Sequence, residues 1–455
     1  MPPTFERSEL PAVDAESLNK AVNDSQDDVA TGEWPSNSWW ELFGDPQLNQ
    51  VIEVALSSNP SIQERACALM QSVAQIDQSL ANQLPSISVD PSAIALKYAR
   101  DGELSAFVLP GMRLSYLMKQ IIFKTQWLLD IWGQISSVTA AAEALATQRE
   151  AEVALQRLMV SAQSAKAYIS LQASQKKQAL YEERLQGFRL VEKLKLERQA
   201  QSLMALTAIR QAQLLSDGAE QDSTQNALET EQIRHLLKQV VASNDFNPDN
   251  LEMVQLESIC VPTALVPKSL PLEIVARRPD IKVALWQVET AARRIQVERT
   301  AWYPNVDLLA GNFGMQALDI AKLLNPGSFK LGIGPAISLP WFDGGLRDAK
   351  YSEALSTYHE AVAAYQATVL KATREVLDAI SKLRASKKML QVSQQSLSTQ
   401  REMMETIALL QQSGMIDKIE VESQRAGLLE SEIAYYDTLE QFLMAVVDLQ
   451  VNLGA

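Results

Sequence analysis

In the stretch Phe329-Lys330-Leu331-Gly332-Ile333-Gly334-Pro335-Ala336-Ile337-Ser338-Leu339-Pro340, every second position from Phe329 to Leu339 is apolar or proline, and the residues between are Lys, Gly, Ala or Ser. A strand with one apolar face has this pattern. Soon afterwards the period changes. Leu355, Tyr358, Val362, Tyr365, Val369, Ala372, Val376, Ala379 and Leu383 step by three and four, which is the seam of a heptad helix. No proline follows Pro340, so a helix over Leu346–Gln412 is expected. At 1.5 Å per residue its length is about 100 Å. Gly414 breaks it, and a further helix is expected over about Ile419–Leu453.

Upstream, Val306–Phe313 reads as the partner strand, joined through Gly314–Ser328, and Pro279 opens a helix that runs to Pro304. The same order occurs earlier in the chain. A shift of 219 residues lays Pro60 on Pro279 and Pro85 on Pro304, Ile62 on Ile281 and Ile76 on Ile295. A shift of 210 lays Glu143-Ala144-Leu145-Ala146-Thr147 on Glu353-Ala354-Leu355-Ser356-Thr357. The chain therefore reads as a tandem duplication. Residues 39–245 form the first repeat, with a hairpin at about 86–130, and residues 272–455 form the second, with a hairpin at about 305–341. Residues 1–38 read as an extended N-terminal arm and 246–271 as a connector.

The 455 residues carry 41 Lys and Arg against 55 Asp and Glu, a formal net charge of −14. That balance, without a basic block, argues against nucleic acid as a partner. Two His and two Cys leave little material for imidazole or thiolate zinc sites, and Cys67 and Cys260 read as fillers of apolar sites. Gly332-Ile333-Gly334-Pro335 lies inside a strand and opens no phosphate-cradling helix. No catalytic, cofactor or metal constellation emerges. No run of 18 apolar residues occurs, which speaks only of helical spans, because barrel strands leave little hydropathy signal.

The heptads alone read equally as a soluble coiled-coil scaffold without a pore. Two features favour a duct. Farther along the seam come Ser386, Ser393 and Gln400, which a dry two-helix core would not favour. Trp132, Trp302, Tyr303, Trp341 and Phe342 all fall where helix meets strand, either as a membrane-interface girdle or as packing of that joint. Four strands cannot close a barrel, so a barrel must be shared between chains.

The motifs then point to a family. Trp40-Glu41-Leu42-Phe43-Gly44-Asp45-Pro46-Gln47-Leu48, Leu129-Asp130-Ile131-Trp132-Gly133, Arg277-Arg278-Pro279-Asp280-Ile281, Trp302-Tyr303-Pro304 and Ile337–Gly345 resemble the TolC-type outer membrane efflux proteins, drug-efflux subclass. The resemblance implies a mainly α protein with a membrane β-barrel. Three protomers would make a 12-stranded barrel and an α-helical periplasmic tunnel, with no enzymatic activity and no cofactor. It further implies a periplasmic adaptor and an inner-membrane pump of the resistance-nodulation-division type as partners, with outer membrane lipid around the barrel. The location implied is the outer membrane of a Gram-negative bacterium, and no export signal is present in this sequence. Many relatives carry a lipid-bearing Cys at the mature start; no Cys lies near Met1.

The resemblance directs attention to the periplasmic helix turns. Asp417 is the candidate gate residue, able to form a ring of three carboxylates on a threefold axis, or simply to cap the helix that follows. Ser202, Leu203, Met204, Gly414 and Met415 are the candidate adaptor-contacting tip. The first turn lacks the glycine common in the family.

Overall fold

The structure is a computed structural model that describes residues 5–7, 30–32, 34, 36, 38–97, 115–201, 205–259, 264–267, 277–339 and 341–454. Seven α-helices are described: α1 (Pro46–Ser58), α2 (Pro60–Ala81), α3 (Gln134–Ala200), α4 (Leu206–Val241), α5 (Pro279–Thr300), α6 (Leu346–Gln412) and α7 (Lys418–Leu453). The strands are β1 (Ala30–Gly32), β2 (Ser86–Lys97), β3 (Ser115–Gln126), β4 (Leu128–Leu129), β5 (Ala264–Pro267), β6 (Asn305–Ala317) and β7 (Phe329–Ser338). Helix lengths recur along the chain: α2 and α5 have 22 residues, α3 and α6 have 67, and α4 and α7 have 36. Among the described residues no helix is long and apolar enough to cross a membrane, which leaves the strands untouched.

Contacts divide the chain into two units. One comprises Met1–Leu10, Ala68–Arg149 and Ala284–Tyr365, and contains the main sheet. Its order is β2, β3, β6, β7, antiparallel throughout, with the short β4 continuing the β3 side of β6. β6 runs to Ala317, four residues beyond the expected Phe313. The gain comes from pairing with β3 as well as β7, since Phe313 and Met315 face Phe123 and Ile121 on one side and Leu331 and Phe329 on the other. Residues 108–114 of the expected first hairpin lie outside the described residues.

Register sorts the side chains, because directly opposed residues share a face and successive residues alternate. One face carries Ile87, Val89, Ile121, Phe123, Phe313, Met315, Phe329, Leu331 and Ile333. Phe123 and Phe313 stack across β3 and β6 at 4.8 Å. The opposite face is mainly polar, carrying Ser88, Asp90, Ser92, Gln120, Lys124, Asn312, Gln316 and Lys330 together with Ile94, Met118 and Ile122. There Lys124 pairs with Asp90 at 2.6 Å and Gln120 donates to Ser92 at 2.9 Å. Polar residues share the apolar face: Lys119 turns its ammonium to the carbonyl of Leu318 beyond the strand end, and Thr125 donates its hydroxyl to the carbonyl of Gly311. Much of the apolar face is exposed, with Ile87 at 65%, Phe329 at 58% and Leu331 at 61%. A contiguous apolar face of this size requires a covering solvent or partner.

The other unit comprises Pro11–Cys67, Glu150–Val283 and Gln366–Ala455. Its core is helix on helix. The heptad residues Val369, Ala372, Val376, Ala379 and Leu383 of α6 are buried, as are Leu429, Ile433, Tyr436, Leu439 and Leu443 of α7. β1 and β5 pair in parallel, so the arm and the connector, which carry little periodicity, meet in a short ladder. The Trp-rich motif near the start is a staple. Asp45 caps α1 through the amides of Gln47 (2.9 Å) and Leu48 (3.3 Å) and accepts the Tyr168 hydroxyl at 2.8 Å, while Trp39 Nε1 donates to Ser161 of α3. Cys67 departs from expectation: it is exposed on α2 rather than filling an apolar site. The exposed face of α2 has no partner there to bury a thiol. Cys260 lies outside the described residues.

Candidate functional site

The turn between α6 and α7 is built by a glycine. Gly414 has φ +74°, a left-handed conformation that costs a residue with a Cβ. This lets the amide of Met415 reach back to the carbonyl of Leu410 at 3.0 Å and close the helix end. The chain reverses, and Asp417 starts α7. Met415 stands 75% exposed at the turn, with Leu409 also exposed before it.

Asp417 holds two contacts at once. One oxygen accepts the amide of Glu420 at 2.9 Å, which is the N-cap bond. The other takes the guanidinium of Arg198, near the end of α3, at 2.6 Å. The amide bond and Arg198 together hold its carboxyl below the usual carboxylate range. The candidate gate residue is thus a capping residue and one half of an ion pair between helices of the two halves of the chain. Sequence periodicity had no signal for the Arg198 partner, 219 residues away. Ser202, Leu203 and Met204 lie outside the described residues.

The Arg198–Asp417 pair is the end of a ladder along antiparallel α3 and α7. Arg425 pairs with Glu183 at 2.5 Å, Lys177 with Asp437 at 2.7 Å and Glu440 at 3.2 Å, Ser170 donates to Glu440 at 2.6 Å, and Lys166 pairs with Asp448. Exposure varies along it: 39% for the Arg198 side chain, 48% for that of Arg425, 13% for that of Lys177 and 40% for that of Lys166 at the far end. The Lys177 rung is the most shielded from water, and the two rungs nearest the turn are both solvent-screened on each side.

At the other end of α7, Arg278 of the Arg-Arg-Pro-Asp motif is a buried clamp. Its guanidinium reaches Asp280 and Glu375, each at 2.7 Å, and the carbonyl of Asn452 at 2.9 Å. The motif that is most distinctive in the sequence is thus structural: one side chain ties α5, α6 and the end of α7.

The aromatics divide. Trp132 and Tyr303 stack at 4.8 Å, and Trp132 Nε1 donates to the carbonyl of Pro304 at 2.9 Å. Trp302 meets Tyr351 edge-on at 6.0 Å, and Arg347 lies over its ring. These three pack the joint between strand and helix. Trp341 and Phe342 do not, at 89% and 88% exposed. Among the described residues no group of His, Cys, Asp and Glu could hold a metal ion.

Among the described residues the sheet has β2 and β7 at its edges, and the chain continues into paired helices of 67 and 36 residues. The family model of the outer membrane efflux proteins matches residues 51–243 and 270–455, and the chain belongs to that family. Among curated relatives, the chain is 28% identical to the fusaric acid resistance protein FusA of Burkholderia cepacia, over 77% of this chain and 65% of that protein. It is 25% identical to the multidrug resistance outer membrane protein MdtP of Shigella flexneri, over 70% of this chain and 66% of that one. The chain thus spans just under two thirds of the length of these relatives. It is 27% identical to outer membrane protein OprJ of Pseudomonas aeruginosa, over 100% of this chain and 92% of that one. The fold matches the Campylobacter jejuni CmeC outer membrane channel with a TM-score of 0.86, at 20% identity over 100% of this chain and 94% of that one. It also matches the outer membrane protein VceC of Vibrio cholerae with a TM-score of 0.77, at 25% identity over 93% and 99%.

Proposed function

We propose that the protein is the passive exit duct of a tripartite efflux system. Three copies join β2 of one to β7 of the next, closing a 12-stranded barrel whose apolar face meets outer membrane lipid and whose Asp90, Lys124 and Lys330 face line the lumen. The carrying observation is the sheet itself: among the described residues it has four long strands and the short β4, edges at β2 and β7, one apolar face and one mainly polar face. Four is below the roughly eight strands that a closed barrel needs, so at least two chains are required, and the family likeness selects three. A soluble coiled-coil scaffold would leave the apolar face in water.

Trp132, Trp302, Tyr303, Trp341 and Phe342 mark the membrane interface, with Trp341 and Phe342 projecting into the headgroups and the others anchoring the joint. Residues 39–245 and 272–455 are the two copies of a duplicated unit; the matching helix lengths support this. The tip formed by the α3–α4 and α6–α7 turns is the gate. Asp417 acts there through its bond to Arg198 as well as its charge, and Gly414, Met415 and the Ser202-Leu203-Met204 turn receive the periplasmic adaptor. Energy comes from an inner-membrane pump of the resistance-nodulation-division type. The printed names of FusA, a fusaric acid resistance protein, and MdtP, a multidrug resistance outer membrane protein, support drug-like substrates.

The test is conductance of the purified protein in a planar lipid bilayer. Wild type is expected to show rare, cation-preferring openings. Arg198→Ala is expected to lengthen them by about tenfold, since one exposed pair worth about 0.5 kcal/mol is lost in each of three copies. Absence of any channel activity from correctly folded protein would sink the proposal.

A further inference from the structure

The four long helices contain three glycines: Gly187 in α3, Gly218 in α4 and Gly427 in α7, with none in α6. Cross-helix contacts put all three at one level. Arg184 and Arg189, on either side of Gly187, pair with Asp222 and Glu220 of α4, four and two residues from Gly218. A Cβ at Gly187 would lie 3.7 Å from Glu422 Oε2 of α7, five residues from Gly427. Arg425, two residues from Gly427, pairs with Glu183, four residues from Gly187.

Within one protomer, neither sterics nor backbone explains these glycines. None has positive φ. A Cβ at Gly218 would meet nothing within 4 Å, one at Gly187 would make ordinary contact, and one at Gly427 would meet only the mobile amide end of Gln400, at 3.0 Å. Alanine would fit each position and favour the helix. What glycine adds there is freedom to bend.

The packing changes at the same level. Away from the turns, α3 and α4 are locked by buried polar bonds: Ser174 to Thr230 at 2.5 Å, Asn226 to Gln178 at 2.8 Å and Gln178 to Ser223 at 3.2 Å. Such buried pairs fix helix register. The half-buried Lys177 triad adds its bonds to Asp437 and Glu440 there. Toward the turns, the α3–α7 bond is the exposed Arg198–Asp417 pair.

We infer that Gly187, Gly218 and Gly427 form a hinge level, about 15–20 Å from the turns by helical rise, at which the helix ends bend. The tip opens by swinging these short ends while the locked coils above keep their register. α6 crosses the level without a glycine and meets α7 there at the flexible Gln400 side chain and at the Arg401–Glu432 pair (2.9 Å), whose arginine side chain is exposed. The inference rests on the reading of the tip as a gate.

The test is hydrogen exchange of the full-length protein in detergent, comparing wild type with the triple variant Gly187→Ala, Gly218→Ala, Gly427→Ala. In wild type, amides in 183–191, 214–222 and 423–431 should exchange at least about tenfold faster than those in 170–178 and 226–234. The triple variant should slow them and the segments toward the turns by about tenfold, leaving 170–178 unchanged. Uniform protection in wild type, or slowing spread evenly along the helices, would overturn the hinge. Bilayer recordings separate the two readings. Fast glycine-level amides that slow in the variant, in a protein that never conducts, would support the hinge and overturn the duct.

Discussion

Asp417 shows how one carboxylate serves two elements. Its bonds to the Glu420 amide and to Arg198 both favour the charged form, so its folded pKa lies below the unfolded value. The sign follows: this stabilisation is present above the unfolded pKa and is lost as pH falls through the folded one. Channel closure should thus be unchanged from pH 7 to 5 and weaken only below about pH 4. Stepped-pH bilayer recordings check this, and an opening transition near pH 6 would exclude Asp417 as its origin. Asp417→Asn should keep part of the cap and lose the ion pair, raising open probability less than Asp417→Ala, which loses both and costs about 1 kcal/mol of helix start. Arg278 is the opposite case, with its side chain 7% exposed. Arg278→Met strands two carboxylates and the Asn452 carbonyl, and should cost about 3–5 kcal/mol. Thermal melting in detergent measures that loss, which should far exceed the loss from Arg198→Ala.

Among the elements, the sheet and the coils obey different solvents. On β3, Phe123 lies on the apolar face and Gln120 on the polar one. Placed in lipid, Phe123→Lys should cost about 2–4 kcal/mol, against little for Gln120→Lys. Urea unfolding from lipid vesicles distinguishes them, and equal costs would contradict the assignment of faces. The coils divide in another way. The α6 seam is apolar from Val369 to Leu383 and turns polar at Ser386, whereas the buried stripe of α4 includes Ser216, Ser223, Asn226 and Thr230. Polar pairs at such positions specify register at some expense of stability.

For the molecule as a whole, the open edges of β2 and β7 require partners. Light scattering of the detergent-extracted protein, corrected for bound detergent, should give three times 50.3 kDa. A stable monomer that needs no detergent would overturn the barrel. Much of this architecture was legible before any coordinates. The bounds of α6 follow from Pro340, the heptads and Gly414, and Pro60 and Pro279 mark helix starts, because proline, glycine and periodicity act within a few residues of themselves. β3 was less legible, since its ladder is set by β2 and β6 rather than by its own alternation.

The sequence by itself determined which segments are helix and strand, where they turn and which side of each is apolar, since these depend on neighbours one turn or one pleat away. Only the tertiary structure decided that Asp417 is held by Arg198, that Arg278 clamps the end of α7, and that three glycines in three helices share a level. Those facts join residues up to 240 positions apart, as Gly187 and Gly427 are. Pairing at such range depends on how whole helices pack, and no local pattern carries it.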